Sequence, residues 1–286
     1  MFVQTPFRGS EAIEAGRLRK HQLRSRFTAL FPDVYTDRCG ADLSLFHRAE
    51  AAWLWSRRSG VLAGLTAAAL HGARYIEDWQ PIELIWPNRR PPPGIVTHKG
   101  ELAADEIVVR GGLPLTAAER TAFDIGRRGT LDQAIARLDA LGNATGFAAA
   151  DVLRLASQKY CGARGVRQLI SALDLHDPGS QSPKETWLRL LLVRAGYPRP
   201  TTQIPVRSAD GRRTYYLDMG WEDRKLAVEY DGDHHRRDPA QFAHDILRSE
   251  DLDELRWTRI RVAKRHTESD VLRRVERAWD ATHTVA

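Results

Sequence analysis

The sequence predicts an α+β protein whose C-terminal part forms its own α/β domain, and three observations carry that expectation. An N-terminal run reads helix, turn, helix, strand over residues 10–35. A middle region mixes helical stretches with strand-like segments. From Ser182 onward the pattern sharpens to helix, hairpin, helix, strand, helix. A chain of 286 residues suggests two or three domains of roughly 100–200 residues each. Boundaries are expected near residues 80 and 176, giving segments 1–80, 81–176 and 177–286.

Taken in order, Ser10 is a helix N-cap for EAIEA, and Gly16 ends that short helix. RLRKHQLRSRF follows as a second helix, with Leu23 and Phe27 four apart on one face. Its remaining faces carry Arg17, Arg19, Lys20, Arg24 and Arg26, and PDVYT then reads as a strand. Residues 44–73 are rich in Ala, Leu and Trp and are expected to be helical. IELIWP and EIVVRGGLPLT read as strands on either side of NRRPPPG, which no helix accommodates. Helices are expected at 117–128, 131–141, 148–160 and 166–173, and LHDPGSQSP is the linker. Then come a helix at 183–195, the strands RRTYYLDMGW and KLAVEYDG turned by EDR, a helix at 239–255, the strand WTRIRVA and a last helix near 268–281.

Lys and Arg number 43 against 37 Asp and Glu, a formal net charge of +6 that suits an anionic partner if the arginines cluster. Two distant cysteines, Cys39 and Cys161, make neither a disulfide framework nor a four-ligand zinc site, which fits a reducing cytoplasm. No apolar run approaches the roughly 18 residues of a spanning helix, and the start has no secretory pattern. No membrane partner is therefore expected.

The acids of the C-terminal hairpin carry the chemistry. In KLAVEYDG, Lys225, Ala227, Glu229 and Asp231 share one strand face. With a tight EDR turn, Asp218 comes to lie near Ala227 with Glu229 on the diagonal, roughly 7–8 Å away. A divalent ion such as Mg²⁺ needs only one or two such carboxylates. The competing reading is that these acids flank turns and face water. Glu185 lies three residues after Ser182 with Pro183 at the first helical position, the spacing of a capping box. It also flanks the apolar stripe of Leu188 and Leu192, so an inward acidic role stays open. His234 and His235 follow the Asp231-Gly232 turn, and Asp245, Arg248 and Ser249 share neighbouring helical turns. Arg248 is expected to pair with Asp245 or to hold phosphate. Trp257, Arg259 and Arg261 alternate along the last strand.

With those residues assembled, the last hundred or so positions resemble the Vsr-like, DUF559-type branch of the PD-(D/E)XK nucleases. SPKETWLRLLLVRAGYPRP, YYLDMGW, KLAVEYDGDHH and HDILRSEDL carry the likeness. It implies a restriction-endonuclease-like α/β core and DNA hydrolysis with Mg²⁺ or Mn²⁺. Asp218 and Glu229 would be metal ligands, Glu185 the helix acid, and Asp231 and His235 neighbours in the pocket. The superfamily's usual lysine, two residues after the second acid, is here Asp231, so Lys225 or Arg248 would supply the phosphate-stabilising cation. Residues 8–175 resemble AbiEi-type antitoxins and winged-helix transcription-factor modules, through SEAIEAGRLRKHQLRSRFTALFPDVYT and GGLPLTAAERTAFDIGRR. That implies an N-terminal winged-helix-like region gripping DNA through Arg17, Arg19, Lys20, Arg24 and Arg26, with Glu119, Arg120 and Asp124 in a supporting middle. Two readings compete with the nuclease. One is a DNA-binding regulator or antitoxin whose nuclease fold does not cut. The other is a zinc protein built on His234, His235 and His244. A homodimer and a toxin or regulatory partner stay open.

Overall fold

The computed structural model describes residues 5–37, 43–88, 90–232 and 239–283, with the side chains of 239–244 and 283 outside that description. Two compact units divide the chain between Asp174 and Leu175, two residues from the boundary expected at Asp177. Helices and mixed sheets make the protein α+β, as its sequence predicts. Among the described residues no helix is long and apolar enough to cross a membrane.

Unit 1 begins with β1 (Phe7–Arg8), α1 (Gly9–Glu14) and α2 (Lys20–Arg26), then β2 (Phe27–Phe31) and β3 (Val34–Asp37). The three strands form an antiparallel sheet in the order β1-β3-β2, so a hairpin stands behind two short helices. Phe27 does not extend α2: it opens β2, paired with Asp37. The Asp33 carboxylate stops the Ser10 region from drifting, accepting from both Ser10 N and Ser10 Oγ. Ser10 is accordingly the second helical residue, not the cap.

Next come α3 (Leu45–Trp55), β4 (Val61–Leu62), α4 (Gly64–Leu70), β5 (Ile82–Ile85), β6 (Ile95–His98), β7 (Ile107–Arg110) and β8 (Leu113–Thr116). Strands β4 to β8 form one five-stranded sheet in the order β6-β5-β4-β8-β7. Because β4 pairs with both β5 and β8, a boundary near residue 80 would cut this sheet. The expected segments 1–80 and 81–176 are therefore one compact unit. β4 itself lay inside a stretch read as helical; Gly60 ends the Ala/Leu run, and two residues are too few to show alternation. Leu45, Ala49 and Ala52 of α3 pack on Leu62, Leu84 and Leu115 of the sheet, while Ala51 and Leu54 join Val34. Gly64 has a positive φ of 56°, and a Cβ there would strike the Glu83 carboxylate, which accepts from Leu65 N at the start of α4. Helices α5 (Ala118–Gly126), α6 (Leu131–Thr145), α7 (Ala149–Lys159) and α8 (Val166–Leu175) follow the expected positions closely. Thr130 caps α6 and Gly146 ends it in the left-handed conformation.

Unit 2 contains α9 (Pro183–Arg194), β9 (Thr201–Arg207), β10 (Thr214–Trp221), β11 (Leu226–Asp231), α10 (Pro239–Glu254), β12 (Thr258–Ala263) and α11 (Glu268–His283). Its sheet runs β12-β11-β10-β9, with β11 and β12 parallel and the rest antiparallel. Parallel neighbours need a crossover, which α10 supplies. β9 carries Pro205, which an edge strand tolerates because no partner lies beyond it. Both faces of the sheet are buried. Leu188 and Leu192 of α9 and Val271 and Val275 of α11 cover Met219, Val228 and Ile260. Leu252 of α10 covers Ile204, Leu217 and Ala227 on the other face.

The hairpin between β10 and β11 sets the register on which the acids depend. Its turn is longer than EDR alone, since Lys225 also belongs to it, at φ 45°. Trp221 then pairs with Leu226, Gly220 with Ala227 and Met219 with Val228. Gly220 is needed there, because a Cβ would sit 2.2 Å from the Leu226 carbonyl oxygen and 2.9 Å from Ala227 Cα. Gly220→Ala is expected to destabilise unit 2 by about 2–4 kcal/mol, since the obstacle is backbone. Urea unfolding of the variant against the parent measures it, and a change below about 1 kcal/mol would show that the hairpin yields.

Candidate functional site: an acidic cleft in unit 2

Asp218 stands where the two central strands part. The paired register ends at Met219–Val228, and one more step would set Asp218 opposite Glu229. This corrects the sequence expectation of Asp218 near Ala227: the register lies two residues further along, one of them because Lys225 belongs to the turn. Beyond that point the Asp218 carboxylate accepts the Tyr230 N–H at 2.8 Å, taking the place of a strand carbonyl. The alternation of β10 also breaks here: Leu217 packs on the α10 face, whereas Met219 packs on the α9/α11 face. Gln203, the residue of β9 between the partners of Leu217 and Met219, has a positive φ of 51°. A twist in both strands thus turns Asp218 out of the sheet's regular pleat.

Glu185 joins from the start of α9. Its Oε1 takes the Ser182 hydroxyl at 2.9 Å, its Oε2 takes Gln181 N at 2.8 Å, and its own N–H is held by Ser182 Oγ. Ser182 therefore caps the helix, but Glu185 reaches back to Gln181 N and not to the N–H of the cap, so the expected capping box is only half made. The same carboxylate lies close enough to Asp218 to repel it. Burial pushes the Asp218 carboxyl up to about 7, assisted by the charges of Glu185 and Glu229 and opposed by the Tyr230 N–H and Arg248. Burial also raises Glu185, against its two hydrogen bonds. Glu185 thus holds the helix start and also stands near Asp218.

Glu229 is buried, and its Oε1 is held by Arg248 of α10, which also donates to the Tyr216 carbonyl oxygen. The pairing of Arg248 with Asp245 does not form; both residues line the cleft, where Arg248 turns to the strand acid instead. Asp231 pairs with Arg261 at 2.9 Å, two register positions along from Glu229, the residue that stands opposite Arg261 in the parallel strands. Arg259 is largely buried and donates to Ser249 Oγ at 2.7 Å. Asp218, Glu229, Asp231, Arg248, Arg259 and Arg261 thus share the wall of one cavity of about 270 Å³. No group of three or more acid, His or Cys side chains among the described residues is set as a preformed metal site.

No known family's sequence model matches the chain. Over 195 residues it is 30% identical to the uncharacterized protein Rv2248 of Mycobacterium tuberculosis (strain ATCC 25618 / H37Rv), spanning 68% of this chain and 70% of that protein. The same figures hold for the uncharacterized protein MT2308 of Mycobacterium tuberculosis (strain CDC 1551 / Oshkosh). The chain belongs to the Rv2248 family. Among solved structures, that of the RV2827C protein from Mycobacterium tuberculosis aligns with 73% of this chain and 86% of its own at 15% identity and a TM-score of 0.41.

In this Rv2248-family chain, the structure moves one foreseen residue away from the acids. Lys225 is not on the Glu229 face of β11; it lies in the turn, exposed, with its Nζ donating to the Leu255 carbonyl oxygen at 2.9 Å. Four residues of strand separate it from Glu229, roughly 13 Å. His234 and His235 lie outside the described residues, as do Cys39 and the side chain of His244. In unit 1, Arg17, Arg19, Lys20, Arg24 and Arg26 are all exposed on α2 or the turn before it. What the sequence reading missed is the pairing of Glu229 and Asp231 with arginines. The alternation of Arg259 and Arg261 was visible, but the parallel register that brings Arg261 alongside Glu229 and Asp231 was not.

Proposed function

We propose that unit 2 hydrolyses phosphodiester bonds of DNA with Mg²⁺ or Mn²⁺, and that the helix–turn–helix of unit 1 grips the substrate. The pair Asp218 and Glu229 on the wall of one cleft, with the Glu185 charge acting on Asp218, carries this reading. The donors fit a hard divalent cation, since all are carboxylate oxygens and such an ion asks for only one or two from protein. An acid driven up to about 7 by burial first, and further by the charges of Glu185 and Glu229, is also a group that gains from a cation. Asp218 and Glu229 would hold the ion, with Glu185 alongside. Once bound, the ion would supply Lewis-acid polarisation of the phosphate and activation of water.

The chain's own residues do the rest. Tyr230 N–H and the strand parting aim Asp218. Ser182 and Gln181 hold Glu185. Arg248, at the cleft wall in the absence of the usual lysine, meets charge on the scissile phosphate and leaves Glu229 to do so. Incubating the full chain with supercoiled and single-stranded DNA plus each ion tests the proposal. Cleavage is expected, and Asp218→Ala and Glu229→Ala are expected to lower it by about 10²–10³-fold or more. Intact DNA under every condition, or parental activity in Asp218→Ala, overturns it.

A second reading, a DNA-binding regulator that does not cut, draws support from the arginine pairs on Glu229 and Asp231. Under both readings, reversing Arg19, Lys20 and Arg24 together lowers duplex affinity and flattens its salt dependence, because each lost phosphate contact removes about one counterion from the slope. Anisotropy titrations across salt concentrations measure this, and unchanged binding removes DNA gripping by unit 1 from both.

A further inference from the structure

We propose that unit 1 also holds a small-molecule site, for an aromatic carboxylate, in the cleft behind its helix–turn–helix. This does not depend on the nuclease reading. The cleft measures about 510 Å³, within the roughly 300–1,000 Å³ typical of small-ligand sites. Its apolar walls come from Phe7, Phe27, Trp53 and Leu54. Phe7 and Phe27 meet edge to face with centroids 4.9 Å apart, an arrangement that a third ring extends.

The charges decide the ligand's polarity. Three arginines and two glutamates line the cleft. Glu11 is shared by Arg8 and Arg58, each within ion-pair distance, so those three groups satisfy one another. Arg17 and Glu50 remain. Arg17 is exposed and makes no ion pair among the described residues. Glu50 is half-buried, one of its oxygens has no hydrogen-bond partner, and burial pushes its carboxyl up, toward the uncharged form. Among the described residues the cleft thus presents aromatic walls, the uncommitted cation Arg17 and, in Glu50, an acid whose charge burial disfavours. That lining suits a flat ring bearing an anionic group better than a cationic one. Arg17 and Leu18 belong to the turn joining α1 and α2, so a bound acid touches the segment that carries the DNA-gripping helix.

Fluorine NMR of 4-fluorobenzoate with the full chain, in chelator to exclude divalent ions, tests the site, with 4-fluorobenzylamine and 4-fluorobenzyl alcohol as probes of the same shape. The acid is expected to bind with saturation below about 10 mM, with the amine and the alcohol weaker by about tenfold or more. Arg17→Gln, an exposed change that leaves the fold intact, is expected to weaken the acid about tenfold, whereas Arg212→Gln in unit 2 leaves it unchanged. No saturation, equal binding of the amine, or parental affinity in Arg17→Gln overturns the proposal. Loss of DNA cleavage leaves it standing, because the readout is ligand binding alone.

Discussion

Replacing Arg120 with alanine is expected to destabilise unit 1 by about 3–5 kcal/mol, the cost typical of stripping one partner from a buried ion network. Arg120 is only 5% exposed and sits among Asp124 of α5, Tyr160 just beyond the end of α7 and Glu106 of the helical turn before β7. Its Nη1 pairs with Glu106 and its Nε with Asp124, both at 3.0 Å. The guanidinium also lies 4.6 Å from the Tyr160 ring centroid, and the Tyr160 hydroxyl bonds Glu106. Truncation leaves Glu106, 4% exposed, without its guanidinium partner. Asp124 keeps Arg127 and Arg128, whereas Glu106 keeps, as a cation, the more distant Lys159, at 3.8 Å, so the damage falls mainly on Glu106. Arg120→Ala with Glu106→Gln should therefore recover part of the loss, because a neutral amide no longer needs a buried cation. Hydrogen exchange of the α5 amides reads unit 1 by itself. A loss under about 1 kcal/mol, or no recovery in the double variant, would mean that water reaches Glu106 and replaces the arginine.

That network shows where sequence reading reaches its limit. Arg120 and Asp124 are four apart on one helix, a local feature, and the supporting role of the middle region came with the antitoxin-like resemblance. Glu106 and Tyr160 are 14 and 40 residues away from Arg120 in sequence, so nothing local announces their contribution. The same contrast holds in unit 2. Long periodic helices and the linker were legible because periodicity and Pro/Gly punctuation are local signals. Strands β1, β2, β4, β6 and β9 were not, being short, at an edge or interrupted by Pro205. At the cleft, the acids of the hairpin and the cap at Ser182 were visible as residue types at fixed spacings. Their geometry depended on a turn one residue longer than expected, on a twist at Gln203 and Asp218, and on arginines arriving from α10 and β12. Each of those is set by packing between elements distant in sequence, and Lys225 was misplaced for that reason.

The stability of unit 2 is expected to fall as pH rises from about 4 to about 7, and Asp218→Asn should abolish that fall. Folded Asp218 has its carboxyl pushed up to about 7, against an ordinary value of 3.8. Between those limits the folded chain holds a proton that the unfolded chain has released, so stability is lost as pH rises through the window and is not regained above it. Partial exposure of Asp218 softens the effect, leaving on the order of 1–3 kcal/mol. Asparagine keeps an oxygen for Tyr230 N–H while removing the charge that Glu185 and Glu229 oppose, so the variant should be the more stable protein at pH 8. Mg²⁺ or Mn²⁺ should act in the opposite sense to the proton it displaces, stabilising the parent more at pH 8 than at pH 5 and leaving Asp218→Asn nearly unaffected. Hydrogen exchange of the β10 and β11 amides, in chelator and then with each ion, measures all four cases. A flat pH profile in the parent would mean that Asp218 is an ordinary solvated acid serving only to satisfy Tyr230. A sloping profile with no response to either ion would mean that the acids repel one another with no room for a cation between them. An acid cluster that weakens its own scaffold near neutrality and recovers with a divalent ion has the energetics of a binding site, because a purely structural carboxylate has no such dependence on what it binds.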